Sequence, residues 1–177
     1  IMVIPREAFQ AKSYTRCMTS QQNQFLIGKL IGDGSIENRG TANARLQIRH
    51  SIRQKAYVDW CFTQVKEFTI SSPKQHKNSY YFRTRSLPLF TEIRRQWYAN
   101  GRKILPKGIY LTPFSIAIWY MDDGYWDTRQ KSSWFCTHNF NTVEITQLIK
   151  SLEMYKILAT VIRDRSHMKL RIRSLSI

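Results

Sequence analysis

Residues 116–127 read IAIWYMDDGYWD, an apolar run that ends abruptly in Asp122, Asp123 and a glycine. Residues 25–36, FLIGKLIGDGSI, are built the same way, with Asp33 and Gly34 closing the run. A carboxylate is poor company for a helix C-terminus, where the macrodipole is already negative. One Asp-Gly is an ordinary turn signal; the same disfavoured placement at two matched positions asks for a function. Asp33 and Asp123 are separated by 90 positions, and the segments FRTRSLPL (from Phe82) and LRIRSLSI (from Leu170) by 88. Two matches in the same order at nearly the same offset mark a tandem duplication.

The element pattern agrees in both copies. In the first, an apolar helix over about 22–33 leads to a strand at 44–51 and a helix at 53–68. The segment 71–79, SSPKQHKNS, reads as a loop. A strand at 80–86 and a helix at 87–100 follow, the helix ended by Asn100-Gly101. The second copy reads as a helix at 114–123, a strand at 132–138 and a helix at 142–155, with Thr142 and Glu144 as its start signal. Strands at 157–165 and 167–174 complete it. After LRIRSLSI the sequence given ends, so the second repeat is expected to lack the closing helix of the first. The organisation expected is an N-terminal extension (1–21), a first half-domain (22–108) and a C-terminally incomplete second half-domain (109–177).

Composition limits what these halves can do. With 42% hydrophobic and 13% aromatic residues the chain has the means to build a core. It has no apolar run of the ~18 residues that span a bilayer, so a soluble protein is expected. Lys and Arg number 28 against 12 Asp and Glu, a net charge of +16, which calls for a polyanionic partner. Nucleic acid is the leading partner; an anionic membrane surface is the alternative. Cys17, Cys61 and Cys136, with four scattered histidines, lack the spacing of a zinc finger and read as reduced, mostly buried thiols.

Strand alternation shows where the partner would lie. Residues i, i+2 and i+4 share a face. Arg45, Gln47 and Arg49 oppose Leu46 and Ile48; Arg83 and Arg85, with Tyr81, oppose Phe82. Lys169, Arg171 and Arg173 oppose Leu170 and Ile172; Arg163 and Arg165 oppose Ile162. An antiparallel sheet with an ordinary polar exterior would alternate too. These faces hold almost only cations and Gln, the chemistry of phosphate and base-edge recognition. A basic saddle for a duplex follows.

Small residues then say how the carboxylates meet. Gly28 and Gly32 lie one helical turn apart and let a second helix approach closely; Ala117 is the small residue expected opposite them. Two apolar helices packed side by side bring Asp33 and Asp123 together at a pseudo-twofold axis. Like charges so placed need a cation, and hard oxygen ligands favour Mg²⁺, or Mn²⁺ in its place. Such a centre could activate water against a phosphodiester.

LIGKLIGDG (26–34) and IAIWYMDDG (116–124) resemble the paired motifs of LAGLIDADG homing endonucleases, in their single-chain, two-repeat form. YLTPFSIAIWYMDDGYWD (110–127) is especially similar to the second motif of the intron-encoded mitochondrial branch. The resemblance covers about residues 22–177. It implies an α+β fold of tandem αββαββα repeats with antiparallel sheets, and divalent-metal cleavage of a long double-stranded DNA site by a monomer acting as a pseudo-dimer. It makes Asp33 and Asp123 metal ligands, with Gly32 and Asp122 offering backbone carbonyls. It places an assisting lysine at Lys103 of GRKILP, whose alternative role is a solvated phosphate contact. It also implies an intracellular, mitochondrial or other organellar protein.

The second motif departs from the first, carrying Ile118 and Asp122 where the first has Gly28 and Gly32, so the helix contact is expected to be less symmetrical. The incomplete second repeat also lacks a counterpart of Lys103. The rival expectation is a non-catalytic derivative that binds structured RNA, as an intron-splicing maturase or a structural protein of a mitochondrial ribosome.

Overall fold

The computed structural model describes residues 18–164 and 167–173. Its elements begin with α1 (Ser20–Ile31), started by Thr19, whose side chain accepts from the Gln22 N–H while Gln22 returns a bond to the Thr19 N–H. That reciprocal cap starts the helix two residues before the expected position 22. Strands β1 (Ser35–Glu37) and β2 (Arg45–Ser51) follow, then α2 (Lys55–Val65) and strands β3 (Lys74–His76) and β4 (Ser79–Arg83). Helix α3 (Pro88–Trp97) and a short hairpin of β5 (Tyr98–Ala99) and β6 (Arg102–Lys103) end the first half. Asn100 and Gly101 form the hairpin's tip, both at positive φ.

The second half runs α4 (Pro113–Asp123), β7 (Gly124–Asp127), β8 (Ser132–Cys136), α5 (Thr142–Glu153), β9 (Ala159–Asp164) and β10 (His167–Ile172). The first sheet has strand order β1-β2-β4-β3 and the second β7-β8-β10-β9, all antiparallel. The registers prove the duplication. Gln47 pairs with Arg83 and Ile48 with Phe82; Trp134 pairs with Arg171 and Phe135 with Leu170. Among the described residues, α3 and the β5–β6 hairpin have no second copy.

The structure departs from the sequence expectation in several elements: β1, β7 and the β5–β6 hairpin lie where no strand is expected, and the helix expected over 87–100 ends at Trp97. Segment 71–79 is not all loop, because β3 pairs there with β4; its three residues are all exposed, so no hydrophobic alternation announces it. Helix α5 is capped by Asn141, whose side chain accepts from the Glu144 N–H, rather than by Thr142.

The two apolar helices α1 and α4 pack side by side at the centre of a core continuous through both halves, which includes Phe25, Leu30, Ile48, Phe90, Ile118, Leu148 and Leu170. The expected small residues make the contact possible. A Cβ at Gly28 would lie 2.6 Å from the Ser115 carbonyl oxygen and 2.8 Å from the Ile118 Cβ. A Cβ at Gly32 would lie 2.5 Å from the Asp122 side chain. Ala117 is not part of this contact, contrary to expectation. It is exposed on the opposite face of α4, because the residues that face α1 are Ser115, Ile118 and Asp122. Gly28→Val is therefore expected to cost about 2–3 kcal/mol by overpacking, lowering the melting temperature by roughly 5–10 °C. Ala117→Ser should leave it nearly unchanged. A thermal melt of the two variants checks the assignment.

Candidate active site and nucleic-acid interface

Helices α1 and α4 end side by side; Asp33 follows the Gly32 cap of α1 and Asp123 is the last residue of α4, which puts both in one electrostatic environment. Burial pushes the Asp123 carboxyl up to about 7, and the neighbouring negative charges of Asp33 and Asp122 push it the same way, against Lys103 and Lys29. Asp33 is the more open of the pair, with its side chain 51% exposed. Lys103, on β6, donates to the carbonyl oxygens of Gly32 and Gly34, both at 2.8 Å, and so clasps the turn that bears Asp33. Burial lowers the pKa of Lys103, while Asp123, Asp33 and Asp122 act in the opposite direction. The expected grouping of Asp33, Asp123, Gly32 and Lys103 is thus a feature of the fold.

The Asp122 side chain turns toward Lys29 and Tyr57. It is buried, with Oδ1 2.6 Å from Lys29 Nζ and 2.8 Å from the Tyr57 hydroxyl that donates to it. Its Oδ2 accepts the Asp33 backbone N–H at 3.1 Å. Lys29 Nζ also lies 3.0 Å from His50 Nε2, and His50 Nδ1 lies 3.6 Å from Asp33 Oδ2. Asp33, His50 and Asp122 offer ligand atoms within 4.8 Å of one another, but the Asp122 oxygens are already engaged. The sequence reading missed Lys29, His50 and Tyr57. Two signals were there: one lysine inside an apolar helix, and a histidine in phase with Leu46 and Ile48 on the core face of β2.

The site fits a divalent cation. Its donors are hard carboxylate oxygens, the charges of Asp33 and Asp122 add to burial in raising the Asp123 pKa, and the two nearby ammonium groups have other partners.

The sheet faces account for most of the predicted nucleic-acid residues. Register puts Arg45, Gln47, Arg49, Tyr81, Arg83 and Lys74 on one face of the first sheet, and Trp134, Lys169 and Arg171, with Tyr125, on one face of the second. The first face is knit by Glu37, which lies 2.7 Å from the Arg45 guanidinium and 3.1 Å from that of Arg83; Arg83 also donates to Gln47. The second carries stacked aromatics, Tyr125 on Trp134 with an interplanar angle of 5°, and the Arg171 guanidinium over the Trp134 ring. Arg85 lies beyond the end of β4 and donates to the Glu67 carbonyl, and Arg173 donates to Thr160.

Arg163 is a correction. It pairs with Met168, whereas Ile162 pairs with Lys169, so Arg163 is on the opposite face from Lys169 and Arg171. Arg165, and with it Cys17, lies outside the described residues. No helix among the described residues is long and apolar enough to cross a membrane.

Paired antiparallel sheets around two motif helices, with carboxylates at both helix ends, define the class. The family model of the LAGLIDADG DNA endonuclease family matches residues 23–177, and the chain belongs to that family. It is 29% identical over 167 residues to the cytochrome b mRNA maturase bI2 of Debaryomyces hansenii, covering 84% of this chain and 62% of that protein. A 34% identity over 122 residues links 66% of it to 29% of the protein RecA of Mycobacterium gastri. The probable intron-encoded endonuclease 1 of Wickerhamomyces canadensis is 28% identical over 150 residues, covering 75% of this chain and 64% of that one. The chain thus spans less than two thirds of the length of these three relatives. The fold matches that of the homing endonuclease I-WcaI bound to its DNA recognition sequence, with a TM-score of 0.76, 24% identity, and 90% and 79% of the two chains covered. It also matches I-DmoI in complex with DNA and Ca, with a TM-score of 0.63, 16% identity, and 88% and 84% covered.

Proposed function

We propose that the chain is a site-specific endonuclease that hydrolyses both strands of duplex DNA with divalent metal, Mg²⁺ or Mn²⁺, held by Asp33 and Asp123. One observation carries this reading: two carboxylates from duplicated helix ends share a single electrostatic environment between two sheets with cationic faces. The half-domains 22–108 and 109–177 would each serve one strand, as a pseudo-dimer within one monomer. Metal bound there supplies Lewis-acid charge and a nucleophile from water. The chain's own part is to hold the carboxylates, to fix the Asp33 turn through Lys103, and to grip the duplex. Backbone carbonyls of Gly32 and Asp122 are the further oxygens at hand, that of Gly32 being shared with Lys103. Base reading would fall to Arg45, Gln47, Arg49, Arg83 and Arg171, with phosphate contacts from Lys169, Arg85 and Arg173.

Selection from a randomised duplex library in Mg²⁺ or Mn²⁺ tests the reading. The expected result is a single long consensus cut on both strands, abolished by chelator. Uncut duplex under all conditions removes the proposal.

Replacing Arg49 and Arg171 together with Ala should weaken DNA binding and flatten its salt dependence by about one unit of log–log slope for each phosphate no longer neutralised. Filter binding from low to high salt measures both. Unchanged affinity together with an unchanged slope would show that these side chains are merely solvated.

A second reading, binding of structured RNA as a splicing maturase or a ribosomal component, is favoured by the Tyr125–Trp134 stack, since aromatic faces suit unpaired bases. The similarity to an mRNA maturase supports it too, and supports an organellar setting. Binding of structured RNA as tight as that of duplex DNA, without Mg²⁺-dependent nicking, would decide for this reading.

A further inference from the structure

The internal repeat makes the two halves of the site comparable position by position, and they are not alike. Lys29 of α1 corresponds to Trp119 of α4, Gly32 to Asp122, and, by strand register, His50 to Thr137. Trp119 is buried, stacks on Phe135, and is the residue whose indole N–H has no partner among the described residues. Thr137 donates to the Met168 carbonyl, within its own sheet. Among the described residues the chain Asp122–Lys29–His50–Asp33 therefore exists on one side only.

We propose that His50, held from behind by Lys29 and Asp122, is a positioning residue that orients the Asp33 carboxylate, and that Asp123 has no such device among the described residues. The proposal rests on the nuclease reading for its consequence but not for its geometry. An ammonium group only donates, so the 3.0 Å contact from Lys29 Nζ makes His50 Nε2 an acceptor. The single ring proton of neutral His50 is then on Nδ1, the nitrogen 3.6 Å from Asp33 Oδ2. A modest rotation of the half-exposed Asp33 side chain completes that hydrogen bond and leaves its other oxygen for a cation. Lys29 is fixed in turn by Asp122, which also takes the Tyr57 hydroxyl and the Asp33 N–H. One carboxylate of the second motif thus serves the first motif's site.

Three measurements on the full chain test this. In metal-free protein, long-range ¹H–¹⁵N spectra should show His50 protonated at Nδ1 and bare at Nε2, with Lys29→Met losing that preference. In Mn²⁺ titrations, His50→Ala should weaken one of two sites by roughly tenfold or more, the usual cost of removing a partner that orients a ligand. In strand-resolved cleavage, the same variant should slow one strand by a similar factor and spare the other. His50→Gln, whose amide can accept from Lys29 and donate to Asp33, should restore both readouts. An Nε2–H tautomer, equal losses on both strands, or Gln no better than Ala would overturn the proposal. If the chain cuts no DNA, the nuclease reading fails, and the tautomer and Mn²⁺ data still decide this one.

Discussion

Asp123→Asn is expected to reduce cleavage by on the order of a thousandfold or more, because the loss of a metal-holding charge forfeits several kcal/mol of transition-state stabilisation. Asparagine keeps the shape of the side chain, so the α1–α4 contact and the cationic sheet faces should survive, and DNA binding with them. Stability separates this loss from unfolding. The folded-state pKa of Asp123, about 7, lies above the ordinary carboxylate value of 3.8. Protonation therefore favours the native state, and that advantage disappears as pH rises through about 7. In chelator the Asn variant should melt above wild type by a margin that is small near pH 4 and grows as pH rises to 8. Wild-type cleavage rates in Asp123→Asn would remove the carboxylate from the chemistry.

Much of the design could be read before any coordinates, and each success has a physical reason. Helices α1 and α4 were legible because their apolar runs are bounded by caps and by Asp-Gly. The pseudo-twofold was legible because the Phe82-Arg83 and Leu170-Arg171 pairs lie on equivalent strands in matching registers. Arg163 was misplaced for the opposite reason. Strand β9 is the edge of its sheet, and Val161 and Ile162 are both exposed, so apolar character could not say which face turns inward. Ala117 was assigned to the helix contact by size alone. The repeat then put Ile118 and Asp122 in the places held by Gly28 and Gly32, and their side chains fill the space the glycines leave. The link from Lys29 to Asp122 crosses 93 residues. No local pattern reports such a pair; only the docking of α1 against α4 brings it together.

That pair supports the second large prediction. Lys29 and Asp122 are both fully buried and 2.6 Å apart. Removing one partner leaves the other charge stranded in a low-dielectric interior, at a cost of about 3–5 kcal/mol, or roughly 10 °C in melting temperature for a chain of this size. Lys29→Met strands Asp122, though the Tyr57 hydroxyl and the Asp33 N–H still donate to it. Asp122→Asn strands Lys29, whose other polar neighbour is neutral His50. The double variant Lys29→Met/Asp122→Asn removes both charges of this pair, and its amide oxygen can still accept from Tyr57. It should therefore be more stable than the weaker single variant, with a coupling energy of about 2 kcal/mol or more in a double-mutant cycle by urea denaturation. Additive losses would mean that the two charges do not meet in solution. The same double variant separates fold from function: with Lys29 gone, nothing fixes His50 as an acceptor at Nε2. A chain whose stability recovers while one strand is still cut slowly would place the pair in the service of Asp33 as well as of the core.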